Sequence, residues 1–149
     1  MGNEFLVRKI ENGTVIDHIP AGCGLKVATI LDLNHNENCF VVLANVGSGK
    51  LGKKDMVKIE NRELTKKEDE KISLIAPDAT LNIIRNSSVA EKKHLSIPDS
   101  FQEIIQCPNT NCITNHDNAI TKFAVESKKP LKIRCYYCER AFGADEISS

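Results

Sequence analysis

Four cysteines constrain this chain more than any other feature: Cys107-Pro-Asn-Thr-Asn-Cys112 and, after 22 intervening residues, Cys135-Tyr-Tyr-Cys138. Tetrahedral zinc takes four soft ligands at about 2.3 Å, and two short turns of this kind deliver them in pairs. Two disulfides are the competing use of the same thiols. They need an oxidising compartment, and Met1-Gly-Asn-Glu-Phe5 shows no basic stretch leading into an apolar core that would export the chain. The longest apolar run, Cys39 to Val46, is far short of the roughly 20 residues that cross a bilayer. A cytoplasmic protein with one structural zinc ion on Cys107, Cys112, Cys135 and Cys138 is expected. Four thiolates leave no open coordination position, so the metal is expected to hold structure together and not to perform chemistry. His116 is expected at the surface, and Cys23 and Cys39 as core or half-buried thiols.

Charge narrows the partners. Twenty Lys+Arg balance twenty Asp+Glu over 149 residues, which removes the long-range attraction that draws proteins to nucleic acid or to anionic membranes. A nucleic-acid-binding zinc ribbon is the main alternative reading of the cysteine cluster. From Cys107 to Ser149, however, six basic residues face five acidic ones, where a ribbon that grips phosphates needs a clear basic excess.

The cysteines crowd one end of the chain, which predicts two domains, residues 1–98 and 99–149. In the first, Phe5–Glu11 and Thr14–Ile19 have the β-branched, apolar character of strands, separated by Asn12-Gly13. Leu25, Ala28 and Leu31, with Val27 and Ile30 beside them, follow at helical spacing. Cys39–Val46 and Lys53–Ile59 have strand patterns, and Thr65-Lys-Lys-Glu68 is a capping box that opens a helix ended by Pro77. Thr80–Arg85 and Ser88–Lys92 complete the set. The fold expected is α+β: a ferredoxin-like domain, with both helices on one face of an antiparallel sheet, followed by a small four-cysteine zinc-binding β domain.

Three enzyme-like signals fail on context. Gly47-Ser-Gly-Lys-Leu-Gly52 spells a dinucleotide fingerprint, but a strand follows where a helix must open, so a hairpin is expected. As a phosphate loop the same stretch lacks the first Gly and the final Ser/Thr, which are Ala44 and Leu51 here. His35-Asn-Glu37 with Cys135 and Cys138 imitates a zinc deaminase, yet Arg134 replaces the required Pro and two cysteines would have no role.

Ligand-binding character lies elsewhere. Period two puts Lys54 and Lys58 on one strand face, about 13 Å apart, either as a solvated surface or as a bracket for an extended anion. Asp17-His18 ends an apolar strand, where a carboxylate and an imidazole need partners, from the fold or from a ligand.

Five stretches together give the chain a family likeness: Gly13–Ala21, Ser48–Asn61, Ala76–Asn82, Cys107–Ile113 and Cys135–Glu139. They run in order over nearly the whole length, and the sequence resembles the regulatory chain of aspartate carbamoyltransferase. The resemblance implies a non-catalytic sensor in pyrimidine biosynthesis. Its N-terminal domain would bind nucleoside triphosphates (CTP, ATP and UTP), and its zinc domain would dock on a separate catalytic chain. A homodimer of regulatory chains is implied too. By the same resemblance Asp17 and His18 lie in the nucleotide site, with Lys54, Lys58 and Asn82 near phosphate and ribose. Val7, Ile10 and Val89 line the base, and Lys92, followed by Lys93, meets the phosphates. Arg8 and Ser87 replace an acid and an aromatic of the best-known members, a departure that bears on the base more than on the phosphates.

Overall fold

A computed structural model describes residues 10–49 and 52–147. The first sheet contains β1 (Gly13–Pro20), β2 (Phe40–Ser48), β3 (Gly52–Glu60), β4 (Thr80–Arg85) and β5 (Ser88–His94), in the order β2-β3-β1-β4-β5. Every neighbouring pair is antiparallel. Helix α1 (Gly24–Ile30) connects β1 to β2, and α2 (Lys66–Ile75) connects β3 to β4. Each crossover skips one strand, which gives the split βαβ topology expected from the sequence, with β5 added as a hairpin on β4.

Both helices cover one sheet face. Ile16, Val57, Ile59 and Leu81 are sealed beneath Val27, Ala28, Ile30 and Ile72. At roughly 1.5–3 kcal/mol for each fully buried aliphatic side chain, this layer dominates the favourable side of folding. Leu25 is the exception: its helical spacing suggested the core, but it is 72% exposed, while Val27, Ala28, Ile30 and Leu31 are buried as expected. The capping box of α2 forms as its sequence dictates, with Thr65 Oγ1 accepting from the Glu68 N–H and the Glu68 carboxylate accepting from the Thr65 N–H. Gly13 begins β1 at φ +144°, where a Cβ would stand 2.1 Å from the Ile59 carbonyl oxygen, so no other residue fits. Gly47 pairs with Lys53 and Ser48 with Gly52, so these glycines flank the β2–β3 hairpin, and residues 50 and 51 lie outside the described residues. Of the first expected strand, residues 5–9 lie outside the described residues, and Ile10 and Glu11 are not in a strand.

The second sheet is β6 (Ser100–Gln102), β7 (Lys122–Lys128), β8 (Leu131–Cys135) and β9 (Ala141–Gly143), antiparallel and in chain order. Phe101 stacks on Phe123 at a centroid distance of 5.3 Å. Ile97, Phe101, Ile104 and Ile105 continue the buried cluster of the first sheet into the second.

Candidate metal centre and ligand face

The cysteine pairs meet as their spacing requires. Cys107 Sγ is 3.8 Å from Cys138 Sγ, and Cys112 Sγ is 3.8 Å from Cys135 Sγ. All four sulfurs lie within 4.8 Å of one another. A ZnS₄ tetrahedron with bonds of about 2.3 Å has edges of roughly 3.8 Å, so the thiols fit a single zinc ion. A disulfide needs about 2.05 Å, and the cysteines are free.

The turns are held by their own polar groups. Cys112 N–H donates to the Asn109 carbonyl and Glu139 N–H to the Cys135 carbonyl. Asn115 Nδ2 donates to the carbonyls of Cys107 and Asn109. Thr114 Oγ1 and the Tyr137 N–H donate to the sulfurs of Cys112 and Cys135, the kind of contact that orients thiolate ligands. Burial pushes the Cys107 and Cys135 thiols up. Four thiolates at this spacing therefore require a cation. His116 lies outside the cluster, exposed, with Nε2 3.1 Å from the Thr110 carbonyl oxygen. Cys23 is half-buried as expected, whereas Cys39 is exposed because it precedes β2 at the sheet margin.

The sheet face opposite the helices carries a different pattern. Cross-strand pairing puts Lys58 beside Val15, Val15 beside Asn82, and Asn82 beside Lys92, one row across four strands. The next row along is Asp17, Thr80 and His94. Lys93 pairs with Leu81, a core residue under the helices, and acts electrostatically on Glu63 and Asp69, so it belongs to the other face. At the far end of this face, Ser87 N–H donates to the Glu11 carbonyl, which brings the segment after Ile10 beside the turn that leads to Val89. Ile10 itself is buried and Val89 is 58% exposed. Val7 lies outside the described residues.

A β-bulge explains Asp17-His18. The register passes from Ile16–Val57 to Ile19–Asp55, three residues of β1 against two of β3, and His18 takes φ +59°. Strict alternation would send His18 into the core and Ile19 out. The extra residue leaves both Asp17 and His18 half-exposed and returns Ile19 to full burial. Asp17 Oδ1 accepts from Lys54 Nζ at 2.8 Å and from the His18 N–H at 2.7 Å. Burial pushes the Asp17 carboxyl up, but the Lys54 hydrogen bond, the His18 N–H and the nearby positive charge outweigh it and hold the pKa below its ordinary value. His18 Nδ1 lies 3.1 Å from Thr80 Oγ1.

Sequence reasoning missed Asp55. Its buried carboxylate accepts N–H bonds from Gly22 at 3.0 Å, Gly24 at 2.9 Å and Asn45 at 3.0 Å. Asn45 sits at φ +58° in a second bulge, where β2 runs three residues against two of β3 between Leu43 and Val46. One carboxylate thus ties the turn after β1 to the bulge of β2, and the adjacent Lys54 is aimed at Asp17. The lone signal in the sequence was an acid in the inward phase of an alternating strand.

A charged face on one sheet and a closed four-thiol centre in the other domain give a two-domain chain of the metal-binding class, whose second domain is built to hold one metal ion. Residues 5–96 match the allosteric domain of the aspartate carbamoyltransferase regulatory chain, and residues 99–148 match its metal binding domain. The chain is 53% identical over 147 residues to the aspartate carbamoyltransferase regulatory chain of Thermococcus onnurineus, covering 98% of this chain and 97% of that one. It is likewise 53% identical to those of Pyrococcus abyssi, over 97% of this chain and 96% of the relative, and of Methanocaldococcus jannaschii, over 92% and 91%. The chain belongs to the aspartate carbamoyltransferase regulatory chain family, and it is a regulatory, non-catalytic chain. Among the described residues no helix is long and apolar enough to cross a membrane.

Proposed function

We propose that this chain senses nucleoside triphosphates, CTP and ATP and also UTP, on the open face of its first sheet and transmits their binding through the zinc domain to the catalytic chain of aspartate carbamoyltransferase. In this reading residues 1–98 form the effector domain and residues 99–149 the catalytic-chain contact. The observation that carries it is the row of Lys58, Asn82 and Lys92 beside Asp17 on one sheet face, with Lys54 reaching Asp17 and the bulge residue His18 reaching Thr80. Phosphates meet the lysines and His18. Ribose hydroxyls meet polar Asp17 and Asn82. The base lies towards Ile10, Val89 and Val7. Regulatory chains pair as homodimers, and the complex works in the cytoplasm.

The mechanism is a coupling free energy between two sites, typically about 1–3 kcal/mol, exerted when a nucleotide prefers one quaternary state. Reconstitution tests it: the zinc-loaded chain is mixed with catalytic chains from the same source, and CTP and ATP are titrated while carbamoyl transfer to aspartate is followed. A nucleotide-dependent shift in aspartate half-saturation is expected. Lys58→Ala is expected to weaken nucleotide binding about tenfold, the loss of one charge-assisted contact, and to leave assembly intact. Unchanged affinity in that variant refutes the placement.

A further inference from the structure

We propose that the effector site extends across the domain boundary, with Lys129 of the zinc domain as part of its terminal-phosphate subsite; this rests on the nucleotide reading above. A cavity of about 430 Å³ opens at the Asp17–Thr80–His94 end of the ligand face, walled by His18, Thr80, His94, Leu95 and Asp78. With the base at the Val89 end, a nucleotide laid along the strands points its phosphates here. The five residue steps from Val89 to His94 span at most about 17 Å, the reach of an extended triphosphate nucleotide.

Asp78 is the anomaly in that wall. A carboxylate beside a polyanion is repulsive unless a cation neutralises it. The cation that pairs with Asp78 comes from the other domain: Lys129 Nζ lies 3.2 Å from Oδ1 and 3.3 Å from Oδ2. Lys129 stands on the turn between β7 and β8, and its side chain is 70% exposed, so the ammonium can turn to a phosphate oxygen while staying near Asp78. One lysine would then bridge Asp78 and the terminal phosphate, and a triphosphate would draw the zinc domain towards the effector domain where a monophosphate would not. Recognition and transmission would share one contact.

Calorimetric titration of the full zinc-loaded chain with CTP and with CMP tests this. Lys129→Gln is expected to weaken CTP about fivefold, the upper range for an exposed charge, with CMP unchanged and with the difference fading in high salt. Asp78→Asn is expected to tighten CTP and, combined with Lys129→Gln, to restore most of the loss. Both side chains are largely exposed, so folding is not at stake. Equal changes for CTP and CMP in Lys129→Gln, or none for either, overturn the proposal and leave the nucleotide site standing. A wild-type chain that binds neither nucleotide overturns both.

Discussion

The two domains solve the same problem by different means. The effector domain closes five strands under two helices and seals Ile16, Ile19, Val27, Val57, Ile59, Ile72 and Leu81 completely. The zinc domain has four strands, two of them only three residues long, and its fully sealed side chains are Phe123, Ile133 and Cys135. So small a core cannot offset the conformational entropy of its loops, and the metal supplies the difference. The comparison teaches where a signal can travel. Packing holds the first domain, whereas the second leans on its four sulfur–metal bonds.

Removing the metal should break this comparison most sharply. Structural zinc contributes about 10–16 kcal/mol in small metal-dependent folds, far more than the zinc domain can replace. Chelation, or Cys112→Ala, is expected to expose the amides of residues 100–143 to rapid hydrogen exchange while those of residues 13–94 stay protected. Association with catalytic chains is expected to disappear with it. Loss of protection throughout would mean that the buried cluster joining the domains makes them one cooperative unit.

Asp55→Ala is the converse experiment. It removes the acceptor of three N–H bonds, of which only the Gly24 bond is fully buried, at an expected cost of about 2 kcal/mol. Thermal unfolding of the effector domain should move down and nucleotide binding should weaken, while zinc content and the zinc-domain exchange pattern hold. Zinc loss in this variant would show that the metal domain depends on its neighbour.

The sequence was most legible where local chemistry decides the outcome. The cysteine spacing, the capping box at Thr65, the hairpin at Gly47–Gly52 and the strand–helix order are all visible because each depends on residues close in the chain. The face shared by Lys58, Asn82 and Lys92 needed sheet order and register, which no single strand reveals. The two bulges were hidden for the same reason: an extra residue is defined only against the partner strand, and it reverses the phase of everything after it. Leu25 misled because a seven-residue helix presents too few positions to fix which side faces inward.

The finest comparison lies within the effector domain, between two aspartates whose pH responses oppose each other. Asp17 is held below its ordinary 3.8, so its stabilisation is present above that value and is lost as pH falls through the lower folded-state pKa. Asp69, in the first turns of α2, is raised, first by burial and then by the like charges of Glu68 and Glu70, against which Lys93 pulls. Its Oδ1 is buried without a hydrogen-bond partner among the described residues. Stability from Asp69 is therefore fully present below 3.8 and lost as pH rises through its folded-state pKa, leaving a cost at neutral pH. Asp69→Asn is expected to raise the thermal midpoint at pH 7 by the equivalent of under about 1 kcal/mol, an advantage that vanishes below pH 3.8. Asp17→Asn is expected to lower the midpoint at pH 7 by a similarly small amount, a loss that shrinks in acid. Melting curves of both variants from pH 3 to pH 7 check the signs. A neutral-pH gain for Asp17→Asn would mean that the Lys54 contact does not offset the burial of that carboxylate, and the ligand face would then be held for binding at a cost to stability.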